Sequence, residues 1–159
     1  IGSIFAEYSF AQGSTIGIDY ISGSTEIGKA SRTEAGTTSG TVTASAAISN
    51  PMTFYVEPTY MVNDVFGVYV KTGATSITVQ PKEVADAGNV VTSTYKDKDI
   101  WGIMTGVGAK YYVGNFFVKA EYLETEFQTY THTSTTGDKN TISADVDTEE
   151  TRFALGYNF

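Results

Sequence analysis

Seven stretches of this sequence alternate, with a period of two, between bulky apolar residues and small or charged ones. They run over about 1–10, 14–23, 51–62, 65–79, 99–113, 116–128 and 149–159. In the last of them Phe153, Leu155, Tyr157 and Phe159 share one face, and Arg152, Ala154, Gly156 and Asn158 share the other. Successive side chains of a β-strand point to opposite faces, so each run reads as a strand with two unlike sides. β-Branched and aromatic residues dominate these runs, and they fit strands better than helices. The chain is therefore expected to be all-β, and its 159 residues suffice for one domain.

The connections between the runs alternate in length. Ala11-Gln12-Gly13, Asn63-Asp64 and Gly114-Asn115 read as tight turns. Three long polar stretches lie between them, about 24–50, 80–98 and 129–148, and they are expected to be loops with some β-extension near the strands. Short turns at one end and long loops at the other are the rhythm of an outer-membrane barrel, an antiparallel up-and-down transmembrane β-barrel.

The distribution of charge over the two faces favours the same architecture. One face carries Gly17, Gly67, Gly73, Gly102, Gly106, Gly108 and Gly156, small enough to fit a narrow lumen. The same face carries the acids Glu7, Asp19, Glu57 and Glu121 and the bases Lys71, Lys110, Lys119 and Arg152. Four against four cancel, as a closed interior requires, because an unpaired buried charge costs several kcal/mol. These eight are expected to form ion pairs in the lumen, and the net charge of −8 then lies outside it.

The opposite face is apolar and places its aromatic residues at two levels. Tyr8, Phe10, Tyr60, Phe66, Tyr111, Phe116, Tyr157 and Phe159 fall at the tight-turn end, and Tyr20, Phe54, Trp101, Tyr122 and Phe153 toward the loop end. Two aromatic girdles flanking an aliphatic band are what membrane interfaces select.

Composition removes other classes. Charged residues are 18%, below the ~25% of an ordinary soluble domain. Aromatic residues are 13%, too many for a disordered chain. There is no basic patch for nucleic acid and no cysteine for a disulfide or thiolate metal site.

The end Arg152-Phe-Ala-Leu-Gly-Tyr-Asn-Phe159 resembles the C-terminal strand of Gram-negative outer-membrane barrels. In pattern the whole chain is similar to small eight-stranded barrels of the outer-membrane-protein-A and opacity-like group, including their Thr-rich loops and an Asp-Val-Asp lead-in to the last strand, here Asp145-Val146-Asp147. The resemblance implies that Phe153, Leu155, Tyr157 and Phe159 are read by the barrel-assembly machinery. It implies a bacterial outer-membrane location with extracellular loops and a periplasmic C-terminus. Lipopolysaccharide and other outer-membrane lipids would be its surroundings, and an extracellular ligand or phage would meet the loops. Bacterial single-chain barrels have an even number of strands. Seven are visible, so the expectation is an eight-stranded barrel whose first strand is outside this chain. The alternative is a further strand hidden in 24–50, where Gly40 to Ile48 alternates weakly.

Chemistry-bearing residues are few. His132 is the single histidine, and no local motif supplies it with an orienting acid, so no catalytic residue is expected. Asp145, Asp147 and Glu149, with Glu150 beside them, form an acidic rim that is a weak candidate for a hard cation; no metal and no cofactor is assigned. The favoured reading is a non-enzymatic surface protein with the barrel as anchor and acidic Thr/Ser-rich loops for contact or envelope stability. A small porin-like channel is the alternative, and a lipid-modifying enzyme ranks below it.

Overall fold

The computed structural model describes residues 2–10, 13–34, 40–88, 92, 94–135 and 141–159; for 30, 32–34, 85–88 and 142 it describes the backbone alone. The described chain is all-β, an antiparallel sheet curled into a half-barrel. It contains no helix long and apolar enough to cross a membrane.

The strands are β1 (Ser3–Ser9), β2 (Thr15–Ile21), β3 (Ser24–Glu34), β4 (Gly40–Glu57), β5 (Thr59–Asn63), β6 (Phe66–Gly88), β7 (Lys98–Val113), β8 (Phe116–Phe127), β9 (Tyr130–Thr133), β10 (Thr141–Ala144) and β11 (Asp147–Tyr157). The ladder runs β1-β2-β4-β6-β7-β8-β11, with β3 also on β4 and β5 also on β6, while β9 and β10 form a separate hairpin. Two breaks explain the extra labels. Pro58 has no N–H for the ladder and divides β4 from β5, both of which pair with β6. Ser22-Gly23, with Gly23 at φ +116°, divides β2 from β3, both of which pair with β4.

The stretch 24–50 differs from the loop expected of it. Most of it is strand: β3 and the first half of β4 form a hairpin arm that also pairs with β6 from Val79 to Gly88. The weak alternation of Gly40–Ile48 belongs to β4 itself, not to an additional strand. A bulge hides this continuity. Ser49 faces Thr78 and Met52 faces Ser76, so β4 carries one extra residue around Asn50-Pro51, where Asn50 has φ +52°. The extra residue shifts the phase of the alternation, and a period-two reading stops there. The stretch 80–98 is likewise strand as far as Gly88, and 129–148 contains the β9–β10 hairpin. Of the predicted tight turns, Ala11 and Gln12 lie outside the described residues.

Glu7 on β1 meets Lys119 on β8 at 2.6 Å, although four strands separate β1 from β8 in the ladder. Only a sheet curled around its own interior brings those side chains together. Successive partners are antiparallel along the whole path, so β1 and β11, at its two ends, run in the same direction. Among the described residues no ladder joins them.

Candidate functional site: the charged interior

The interior is built by the charged face of five strands. Glu57 on β4, Lys71 on β6, Lys110 on β7, and Lys119 and Glu121 on β8 are all buried, and Glu57 has no accessible surface at all. Glu7 reaches in from β1. Lys119 Nζ lies 2.6 Å from Glu7, 2.7 Å from Glu57 and 3.2 Å from Glu121. Lys71 lies 2.8 Å from Glu121 and 3.9 Å from Glu57. Lys110 pairs with Glu7 at 3.2 Å and also with Glu57. Glu57 thus touches all three lysines. Three acids against three bases leave this network neutral.

Hydroxyl groups supply further donors. Tyr55 donates to Glu7 at 2.7 Å, Tyr69 to Glu121 at 2.8 Å and Thr15 to Glu57 at 3.5 Å. The tyrosine rings also flank the lysines, with Lys71 Nζ 3.9 Å from the Tyr55 centroid. The rings fit because the residues opposite them are small. Tyr69 pairs with Gly108, and its ring lies 2.5 Å from where a Cβ at Gly108 would stand. Phe117 pairs with Gly156 and lies against it in the same way.

Asp19 and Arg152 form a second, separate pair, with Arg152 coming from β11 and Asp19 from β2. Glu150 joins them at 2.8 Å from Arg152. The sequence reading placed Glu150 on the acidic rim. The register corrects this: Glu150 sits two residues before Arg152 and so shares its inward face. Glu150 thus joins the inward charges, nearest the loop end. Asp19 Oδ1 is buried without a hydrogen-bond partner among the described residues.

Above the network the interior becomes apolar. Ile77, Val79, Ile100, Tyr130 and Val146 form one buried cluster, with Ile48 and Phe127 against it. The β9–β10 hairpin is held there by Lys98 Nζ donating to Thr131 O at 2.9 Å and Thr135 N donating to Thr94 O at 2.9 Å. A cavity of about 580 Å³ remains in the interior, lined in part by Phe5, Thr53, Thr75, Thr125 and Arg152.

The outward face is apolar over the same length. Phe153 is 81% exposed and Tyr8 71% exposed, and Phe10, Tyr20, Phe54, Tyr60, Trp101, Tyr111, Phe116, Tyr122, Leu155, Tyr157 and Phe159 are also exposed. Phe66 differs in being half-buried. The two faces exchange character along each strand. On β6, Lys71 points in and Val68 and Val70 point out, whereas nearer the loop end Ile77 and Val79 point in and Thr78 and Gln80 point out. On β8, Lys119 and Glu121 point in opposite Val118 and Tyr122, and beyond them Leu123 points in while Glu124 and Glu126 point out.

The remaining candidates do not assemble. His132 is half-buried, stacked on Tyr130 at 6.0 Å and 6.2 Å from Tyr95, and its Nε2 has no hydrogen-bond partner among the described residues. No acid orients it. Asp147 faces Glu126 and Glu149 faces Glu124 across the ladder, and Asp145 accepts from Thr129 at 2.8 Å. Among the described residues no three His, Cys, Asp or Glu side chains are grouped to hold a metal. Compared with family models, with curated proteins and with solved structures, the chain matches none.

Proposed function

We propose that this chain is the membrane-anchoring barrel of an outer-membrane surface protein, similar in kind to small opacity-like barrels, with its long connections outside the cell. The observation that carries the reading is the exchange of faces. Where charged residues point in, apolar residues point out, the reverse of a water-soluble sheet. Nearer the loop end the ordinary arrangement returns. A strand that leaves a hydrocarbon layer for water needs this change. Each charged residue placed outward at mid-layer would cost about 2–4 kcal/mol, and each large apolar residue exposed to water about 1.5–3 kcal/mol. At ~3.3 Å per residue, the 23 residues of β6 extend well past a ~25 Å apolar band. The β3–β4–β6 arm then stands outside the membrane, as the surface-exposed part. An acidic loop end suits contact with ligands or with the envelope, and the neutral network of three acids and three lysines across the interior favours an anchor over an open pore.

The reading is tested by expressing the protein in a Gram-negative host. It is expected in the outer-membrane fraction. Lys29→Cys and Lys82→Cys should react with a membrane-impermeant maleimide on intact cells, and Asn115→Cys should not. Recovery in the soluble fraction, or labelling at Asn115 alone, overturns it. Planar bilayers are expected to show no stable open steps.

A further inference from the structure

The interior cavity of about 580 Å³ is walled by residues of β1, β2, β3, β4, β6, β8 and β11. The Asp19–Arg152 pair lies at its floor. Arg152 lines it, Ile21 follows Asp19 on the same inward face, and Thr53 stands across the ladder from Asp19. Much of the wall is apolar. Phe5, Ile21, Ile48 and Phe127 line the cavity and are only half-buried, although they belong to the interior. A cavity of this size with apolar walls and a few convergent polar groups is the usual form of a small-molecule site.

The polar groups set the chemistry of the occupant. Thr53 and Thr75 bond each other at 2.9 Å. The charged lining residues are Glu149, Glu150 and Arg152, and no lysine lines the cavity among the described residues. Glu149 belongs to the outward face, so the charges that meet inside are Asp19, Glu150 and Arg152. Arg152 directs Nη1 to Asp19 and Nη2 to Glu150, so two carboxylates share one guanidinium and stand about its width apart. Asp19 is 3% exposed, and its Oδ1 has no hydrogen-bond partner among the described residues. A buried carboxylate oxygen without a donor is costly. The cluster lacks one donor and one positive charge.

We propose that this cavity is a binding site for a small amphipathic cation, a compact apolar body bearing one protonated amine. The ammonium meets Asp19 Oδ1 and Glu150, and the apolar body covers Phe5, Ile21, Ile48 and Phe127. An ammonium donates three hydrogen bonds and accepts none, which suits two carboxylates whose guanidinium is already shared. An anionic occupant would meet Asp19 and Glu150 as like charges, and a neutral one would leave the cluster short of a cation. The site lies inside the sheet and does not depend on what covers the outer face.

Isothermal titration calorimetry tests it, on the protein in lipid nanodiscs with empty nanodiscs subtracted, or in buffer if the protein proves soluble. Three probes share one apolar body: 1-adamantanamine, 1-adamantanol and adamantane-1-carboxylate. The amine should bind saturably, one to one, and at least ~10-fold more tightly than the alcohol, because hydrogen bonds to charged groups are about twice as strong as neutral ones. The carboxylate should bind more weakly than the alcohol. Glu150→Gln should weaken the amine at least ~3-fold and leave the alcohol unchanged. Ile21→Trp, which fills the cavity, should abolish binding of both. If either variant fails to fold, the ranking of the three probes on the unchanged protein decides. The proposal is overturned by an amine that does not bind saturably, by an alcohol that binds as tightly as the amine, by a carboxylate that binds best, or by amine affinity that Glu150→Gln and Ile21→Trp leave unchanged.

Discussion

Lys119 on β8 and Glu57 on β4 lie 2.7 Å apart with two strands between them in the ladder. Glu57 contacts Lys71 and Lys110 as well, so it is the hub of the interior. Breaking a buried ion pair from one side leaves the other charge uncompensated, at a cost of about 3–5 kcal/mol. Glu57→Leu should lose about that much in urea unfolding, followed in detergent or lipid. Adding Lys110→Met should recover part of the loss, because it removes one of the stranded cations. A double mutant no more stable than Glu57→Leu would mean that Glu57 and Lys110 do not act as a pair.

Neighbouring positions on β7 should respond to different forces. Val107 is exposed on the outward face, and Val107→Arg is expected to cost about 2–4 kcal/mol in bilayers through contact with hydrocarbon. Gly108 faces in, under the Tyr69 ring, so Gly108→Val should cost about 1–3 kcal/mol by overpacking. Tyr69→Ala should relieve the second substitution and not the first. Rescue of Val107→Arg by Tyr69→Ala would exchange the two faces.

The acids at the loop end repel one another. Glu149 stands directly across the ladder from Glu124. Like charges so placed are destabilising, and an opposite pair contributes about 0.2–1 kcal/mol. Glu149→Lys should therefore stabilise the fold by a gain of that order, diminishing as salt is raised. Destabilisation by Glu149→Lys at low salt would show that the carboxylates share a bound cation.

Much of this was legible from the alternation. Phe153, Leu155 and Tyr157 differ from Arg152, Ala154 and Gly156 so sharply that strand and face follow together. The β3–β4 arm was not legible, for two reasons. Its residues from Thr41 to Ala47 are nearly all small, so neither face stands out, and the bulge at Asn50-Pro51 shifts the phase just where the pattern strengthens. Glu150 was misplaced because it neighbours Glu149, although its separation by two from Arg152 carried the answer. The sharing of Glu57 among three lysines lay beyond the sequence, since it depends on how tightly the sheet curls.

The apolar outer face is proposed to meet lipid. The chain has one tryptophan, Trp101, exposed on that face. Its emission should therefore report directly on what the face touches. In vesicles made from lipids brominated at different chain depths, Trp101 should be quenched most by bromine near the headgroups. A Trp101→Phe, Val107→Trp variant should be quenched most by bromine near the bilayer centre. Emission from both proteins that is indifferent to brominated lipid would mean that this face does not meet lipid.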